Sequence, residues 1–221
     1  MSSRVEWLQI VGDVKAWRSI GLTIDESGLV PLMGTSLRIV ETQASSTPGN
    51  LASDERNVTG IAGWGLSGVD AGLDATFLDG GLRTSVVEPS GPTLALHDLG
   101  VTGLDHLVVL TCDLERTTGA IAAATGCECK RIREVGAMRQ GFHRIGPGGL
   151  VVEVVERPEV PDGPPRFWGL VLNVEDLDAA CDHIGTHRIS APKDAVQHGR
   201  RIATVKSDVG LGLAVALMTP S

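Results

Sequence analysis

The sequence predicts an α+β protein of four β-α-β-β-β units arranged in two pairs. The first observation is a repeat, since the apolar run that begins at His106 aligns without a gap on the run that begins at Gly169, 63 positions later. The second is that the last strand of the unit repeats at the same offset, which matches Glu153 with Ala216. The third is that each apolar run leads into Asp and then into a helical pattern.

The first half of the chain repeats this plan in a shorter form. Its two units begin around Trp7 and Gly63, in apolar runs that are again followed by Asp. Their closing strands are predicted at 37–41 and 94–98. Two short units are therefore expected before two longer ones.

Segments rich in turn-forming residues separate the units. Residues 44–57, with many Ser, Thr, Pro and Gly, fit a linker within the first pair, and residues 157–166 fit one within the second. The domain boundary is expected between the pairs. Residues 1–99 and 100–221 would then form two paired domains.

Helix signals are clearest after Asp176, which can accept from the first-turn amides as an N-cap. Apolar residues follow at helical spacing as far as Ile184, and Gly185 supplies the stop. Two further helices are predicted by the same bracketing, one between Asp113 and Gly126 and a short one between Asp13 and Gly21.

The composition excludes several classes of protein. With 27 acidic against 19 basic residues, the 221-residue chain has a formal net charge of −8, and its basic residues do not cluster beyond Arg200 and Arg201. Nucleic acid and anionic membranes are therefore not expected partners. Because no apolar run has the length of a membrane span or the form of a signal peptide, we expect a cytoplasmic protein.

One glycine-rich segment has the spacing of a dinucleotide-binding motif. Residues Gly63 to Gly68 satisfy G-x-G-x-x-G, and Glu88 follows at the distance of a ribose-binding acid. No run of alternating strands and helices follows, however. The glycines are therefore interpreted as close packing of a strand, and no nucleotide cofactor is expected.

Two ionisable residues lie inside otherwise apolar strands, at opposite ends of one unit. His106 stands in the first strand, and Glu153 interrupts an aliphatic run in the last, where an unpaired buried carboxylate would be costly. A curved sheet would bring both onto one concave face, where an imidazole and a carboxylate suit a divalent metal. The alternatives are a core histidine with satisfied hydrogen bonds and a glutamate on the exposed side of an edge strand.

On these residues, the second half resembles the glyoxalase/bleomycin resistance/extradiol dioxygenase superfamily, also called the vicinal oxygen chelate (VOC) superfamily. The likeness is clearest over residues 104–220, which have a His followed by an aliphatic run and Asp, and aliphatic-Glu-Val-Val-Glu in the closing strand. It includes the segment 139–146. In this family two units close into a cup, so the resemblance implies a curved sheet and a cup in each half, with the first half degenerate.

The resemblance also implies metal ligands drawn from the first and last strands of both units in a cup. His106 and Glu153 match two such positions, but the partner unit has Gly169 and Ala216, which cannot ligate. The four first-half positions hold Trp7, Arg38, Gly63 and Ala95. Ligand chemistry is therefore expected in the second cup, without a full metal set.

The expected site residues follow from this match. His106 and Glu153 are the expected catalytic residues and metal ligands. Substrate contacts are expected from Gln140, Phe142, His143 and Trp168. The side chains that could complete a metal site are Gln140, His143, Asp194 and His198.

Two classes of function stay open. The first is a glyoxalase-like lyase, isomerase or dioxygenase that uses a divalent metal at His106 and Glu153 to polarise a substrate oxygen. The second is a metal-free protein that binds or sequesters a small molecule in the cup, as resistance members of the superfamily do. A small-molecule ligand is the expected partner in both classes, and a homodimer is compatible with either.

Overall fold

The computed structural model describes residues 2–41, 59–91, 95–146 and 149–220. Over these residues the chain forms two mixed sheets, of six and eight strands, with few helices. The predicted α+β class and the paired architecture are therefore confirmed. The predicted linker 44–57 lies outside the described residues.

The first sheet spans the first half of the chain. Its strands are β1 (Arg4–Val11), β2 (Leu29–Leu32), β3 (Thr35–Val40), β4 (Gly60–Ser67), β5 (Thr76–Leu78) and β6 (Leu82–Val86), in the spatial order β2-β3-β1-β4-β6-β5. The two unit starts, β1 and β4, pair antiparallel at the centre, and β3 and β6 each run parallel to the start of their own unit. Each first-half unit thus has three strands within the described segments, one fewer than the predicted plan.

The predicted closing strand at 94–98 is wrong. The closing strand of the second unit is β6, in which Ser85 pairs with Gly65, so that Ser85 takes the matched position expected for Ala95. Residues 95–97 form no strand, because the buried His97 accepts from the amide of Thr23 and contacts the carbonyl oxygen of Pro31. The His97 side chain thus holds residues 95–97 in place without strand pairing.

The second sheet contains two complete units. Its strands are β7 (Val101–Thr111), β8 (Arg131–Val135), β9 (Met138–Ile145), β10 (Leu150–Glu156), β11 (Arg166–Val174), β12 (Lys193–Asp194), β13 (Arg201–Thr204) and β14 (Ala214–Met218), in the order β12-β13-β14-β11-β7-β10-β9-β8. The unit starts β7 and β11 again pair antiparallel at the centre. The 63-residue repeat therefore reflects two units related across this central pair.

The helices begin and end close to the predicted signals. They are α1 (Val14–Arg18), α2 (Leu114–Thr125) and α3 (Leu177–Ile184), with short 3-10 helices at Ala71–Leu73 and Ser207–Val209. The predicted N-cap aspartates all accept from first-turn amides, and Gly126 ends α2 in the left-handed conformation with a φ of 68°. None of the described helices has the length and apolar character needed to span a bilayer.

The two faces of the second sheet differ in what covers them. Val152 and Val154 of β10 are fully buried in the main core, and Gly141, which pairs with Val154, lies against α2. Because side chains alternate along a strand, Val151 and Glu153 must point to the opposite face. This open face, without a helix layer, is where the candidate site lies.

Candidate functional site

A bulge in the central strand creates the key feature of the site. In the pairing of β7 with β11, His106 lies opposite Val171 whereas Leu104 lies opposite Leu172, so that Asp105 is an extra residue. Such bulges redirect side chains. Here the carboxylate of Asp105 contacts Nδ1 of the neighbouring His106, which plain alternation would have placed on the other face.

His106 is buried, with 5% of its surface exposed, and both ring nitrogens have neighbours. Nδ1 contacts the Asp105 carboxylate, and Nε2 lies 3.2 Å from Nε2 of Gln197. A proton on Nδ1 satisfies Asp105 and leaves the Nε2 lone pair to accept from the Gln197 amide. With Nδ1 turned to Asp105, Nε2 is the ring nitrogen that is left to contact Gln197.

The largely covered side chain of Arg200 fixes the charge of Asp105. Nη2 of Arg200 donates to Asp105 Oδ1 and to Asn173 Oδ1, at 2.7 Å each, and Nε donates to the carbonyl of Thr219. Burial alone would raise the pKa of Asp105, but the contacts with His106 and Arg200 outweigh it and hold this pKa well below its usual range. Asp105 is therefore ionised beside the imidazole.

These groups line a cavity of about 480 Å³ on the open face. Its other walls come from Leu104, Arg144, Gly149, Val151, His198, Gly199 and Pro220. Gln197 and His198 belong to the hairpin between β12 and β13, in which the Ala195 amide donates to the carbonyl of Arg200. The site therefore combines a rigid strand with a loop.

Glu153 shares this face, as predicted. It pairs with Val108 of β7 and with Phe142 of β9, and its Oε1 accepts from Nε2 of Gln140 at 2.5 Å. Burial raises its pKa, and the charge of His106, the Gln140 hydrogen bond and Arg133 offset this only in part. Glu153 is thus the paired carboxylate that its apolar surroundings required, but it lies beside the cavity and does not line it.

The expected substrate-contacting residues separate into two groups. Gln140 and Phe142 are on the open face with Glu153. His143 is not, because it pairs with the core residue Val152, is fully buried, and its Nδ1 lies 2.8 Å from the carbonyl oxygen of Cys127. Burial lowers the pKa of His143, although the Cys127 bond and the charge of Glu128 partly oppose it.

Trp168 also lies apart from the cavity. It sits at a register shift in β11, 44% exposed, with the guanidinium of Arg157 5.5 Å from its ring centroid. Of the further metal candidates, His198 lines the cavity, whereas Asp194 is exposed on β12 and does not.

Sequence reasoning missed most of the cavity wall. Asp105, Asn173 and Gln197 were not singled out, and Arg200 was noticed only as a charge next to Arg201. The available signal was weak: an Asp directly before the His in an apolar strand hints at a bulge, but a bulge depends on the pairing partner. Gln197 lies on a hairpin whose position depends on the folded sheet.

The residues of this face do not complete a metal site. Both predicted ligands already contact side-chain amides, His106 that of Gln197 and Glu153 that of Gln140. Among the described residues no group of three or more His, Cys, Asp and Glu side chains could hold a metal ion. A catalytic metal usually needs about three protein ligands, and His106 and Glu153 supply two.

Comparisons with known proteins give structural neighbours only. A triple mutant of 4-hydroxymandelate synthase from Streptomyces coelicolor matches with a TM-score of 0.67 at 15% identity, covering 100% of this chain and 93% of that chain. Methylmalonyl-CoA epimerase from Mycobacterium tuberculosis has a TM-score of 0.47 at 18% identity, covering 55% of this chain and 90% of its own. No family model and no curated protein matches the chain.

4-Hydroxymandelate synthase is a member of the VOC superfamily. The first match extends over this entire chain, including the first half, where the sequence likeness is faint. In each sheet of this chain, two units meet at an antiparallel central pair. The chain therefore has the paired fold of the vicinal oxygen chelate superfamily, as the resemblance of its second half implied.

Proposed function

We propose that the second cup binds a small metabolite that carries a carboxylate or similar oxygen anion, in a ligand-binding domain over residues 100–221 with residues 1–99 as its degenerate partner. The observation that carries this proposal is the cavity of about 480 Å³ lined by His106 and Arg144. Small-molecule sites typically have volumes of this order and a few polar groups among apolar walls. Leu104, Val151 and Pro220 supply the apolar part here.

The charges around the cavity favour an anionic ligand. Arg200 is neutralised by Asp105, with 2.7 Å between Nη2 and Oδ1. Arg144 has no ion-pair partner among the described residues, and its only polar contact there is the carbonyl of Gly149 at 3.4 Å. Since Arg144 is left with an uncompensated charge, a carboxylate would complete the site.

His106 is placed to accept a proton or a hydrogen bond from the ligand. When Nδ1 donates to Asp105, the lone pair of Nε2 is available to accept. A ligand hydroxyl that replaced the Gln197 amide would donate to Nε2 at the same place. Asp105 would then stabilise the imidazolium if the proton moved across.

The test is isothermal titration calorimetry with a panel of small carboxylates. The panel includes 4-hydroxymandelate, a hydroxy acid taken from the name of the full-length structural neighbour. We expect saturable binding, with Kd raised about tenfold or more by His106→Gln and by Arg144→Met. Arg83→Met, which alters an exposed arginine of the first sheet, is the control and should bind as wild type.

Two results would contradict the proposal. One is that no carboxylate in the panel binds with a Kd below about 10 mM. The other is that His106→Gln and Arg144→Met bind the carboxylates as tightly as the Arg83→Met control.

A divalent-metal-dependent enzyme is the second candidate, favoured by the shared face of His106 and Glu153. The test is metal analysis of protein purified without chelator and then incubated with zinc, nickel, iron or manganese. Stoichiometric metal that disappears in the His106→Ala, Glu153→Gln double variant would support the enzyme over the metal-free binder. Equal metal content in the double variant and wild type would exclude a site at these residues.

A further inference from the structure

The first cup contains a smaller cavity that differs in chemistry from the second. Its volume is about 170 Å³, and it is lined by parts of β1, β2, β3 and residues 87–91. Its charged lining groups are Arg4, Arg38, the buried Glu6 and the exposed Glu88, and its polar ones are Trp7, Thr35, Ser36 and Ser90. The space suits a group no larger than about a benzene ring, since engineered cavities of roughly 150 Å³ hold benzene.

Two arginines supply positive charge to this cavity. Neither Arg4 nor Arg38 has a carboxylate within ion-pair distance among the residues that the structure describes. The Arg38 guanidinium lies 4.7 Å from the centroid of the Trp7 ring. Stacking uses the face of a guanidinium and leaves its in-plane N–H groups available for a planar anion.

The one buried carboxylate of the cavity does not neutralise these arginines. Glu6 accepts from Ser67 Oγ at 2.5 Å, and from the amide and hydroxyl of Ser90 at 3.0 and 2.5 Å. Burial alone would raise the pKa of Glu6, but these hydrogen bonds, helped by the charge of Arg4, bring it below the usual value. Its oxygens are thus already bonded.

Two buried polar atoms of the lining residues have no partner. They are Nε1 of Trp7, a residue only 8% exposed, and Oγ1 of Thr35. Buried polar groups usually find a hydrogen-bond partner, and an unpaired one costs free energy. Arg4 and Thr35 line the same cavity, and Nη2 of Arg4 is 3.9 Å from where a Cβ on Gly34, the residue before Thr35, would lie.

We propose that the first cup is a separate binding site for a small oxyanion, a carboxylate or phosphate group, held by the guanidinium groups of Arg4 and Arg38 and by the Thr35 hydroxyl. Charge-assisted hydrogen bonds from two arginines give such an anion its affinity. The site stands independently of the ligand of the second cup, because it shares no lining residue with that cavity.

The experiment is calorimetric titration of the full chain with sodium phosphate and, separately, sodium acetate, at an ionic strength held constant with sodium chloride. We expect saturable binding of one anion per chain in at least one arm, and the arm that binds identifies the group. Arg38→Met and Arg4→Met should each raise Kd about tenfold or more. Arg83→Met on the same sheet should bind as wild type.

Melting curves in sodium chloride alone show whether each variant is folded. If either Arg4→Met or Arg38→Met is unstable, the other variant still tests the site. Absence of saturable binding of both anions up to about 10 mM would overturn the proposal. So would equal weakening by Arg83→Met, since that would indicate general surface charge. Weakening by Arg144→Met alone would place the anion in the second cup and would also overturn it.

Discussion

The two cups place different side chains at the same positions of the same scaffold. In the first, Trp7 and Arg38 stack on each other across β1 and β3. In the second, the matched His106 and Glu153 are polar groups that each hydrogen bond a side-chain amide. The backbone register therefore sets where two side chains meet, and their identity decides whether the cup is packed or open.

The residue that pairs with each matched residue on the neighbouring strand also differs between the two cups. Trp7 pairs with Gly65, whereas His106 pairs with Val171 at the equivalent place. A Cβ on Gly65 would lie 2.3 Å from Nε1 of Trp7, so the indole needs the glycine. The first cup, where the Trp7 indole covers the backbone of Gly65, has a cavity of about 170 Å³, and the second cup has one of about 480 Å³.

The largest effect on stability should come from replacing Trp7, compared with replacing His106 at the matched position of the second cup. Trp7→Ala removes a buried ring, so we expect the free energy of unfolding to fall by about 3 kcal/mol. His106→Gln should lower the free energy of unfolding by less than about 1 kcal/mol, because His106 serves ligand binding and the new amide can still hydrogen bond. Urea unfolding of both variants measures the contrast. Equal losses would mean that both positions serve packing alone.

The next effect tests the glycine beneath the indole. Gly65→Ala should lower the free energy of unfolding by about 2 kcal/mol, because Trp7 must move to admit the methyl group. In the Trp7→Ala background the same change should cost much less, since the obstacle has gone. Gly119→Ala is the control, an open helical position where alanine should stabilise by about 0.5–1 kcal/mol.

The comparison also explains how far the sequence could predict this fold. The second half was predictable, because its repeat keeps both strands in register and its capping residues bracket the helices. The closing strand of the second short unit was not, since β6 is short and the bonded His97 segment lacks strand pairing. The shift from 94–98 to 82–86 follows from pairing with β4, which is a tertiary property.

The candidate site was predictable only where alternation holds. Gln140, Phe142 and Glu153 share a face because pairing and alternation agree, and the same rule places His143 on the other face. The sequence pattern thus contains the signal that separates His143 from this face. Asp105 lies beside His106 through a bulge, which breaks alternation and cannot be derived from one strand alone.

A smaller effect concerns the reverse side of the second sheet, through the titration of His143. Burial lowers its folded pKa below the ordinary 6.5, so the unfolded chain binds more protons as pH falls below about 6.5. Its contribution is therefore present above that pH and is lost towards the folded pKa, with a slope of up to about 1.4 kcal/mol per pH unit.

His143→Asn should flatten this pH dependence while keeping a donor for the Cys127 carbonyl. Urea unfolding of both proteins between pH 7.5 and 4.5 measures it. An identical pH dependence in the two proteins would show that the His143 imidazole does not contribute to the acid loss of stability.

The smallest expected change in stability is that of Glu153→Gln. Burial raises the folded pKa of Glu153, so the folded state favours the protonated form. Its contribution to stability is therefore fully present below the unfolded value of 4.5 and is lost as pH rises through the folded pKa. Glutamine removes the charge and still accepts from the Gln140 amide. The variant should accordingly be at least as stable as wild type at pH 7, and the difference should vanish near pH 4.5.

The same variant separates the two candidate functions of the second cup. Removing a negative charge beside a site for anions should leave carboxylate binding equal or tighter, whereas a metal-dependent site should lose its metal. Thermal unfolding at pH 7 and pH 4.5, with and without the carboxylate panel, measures stability and carboxylate binding, and metal analysis measures the metal. Glu26→Gln, at an exposed position of the first half, is the matched control. A loss of stability at pH 7 beyond about 0.5 kcal/mol would mean that the charge of Glu153 stabilises the fold. The second cup would then resemble the first, with its matched pair serving the packing of the sheet.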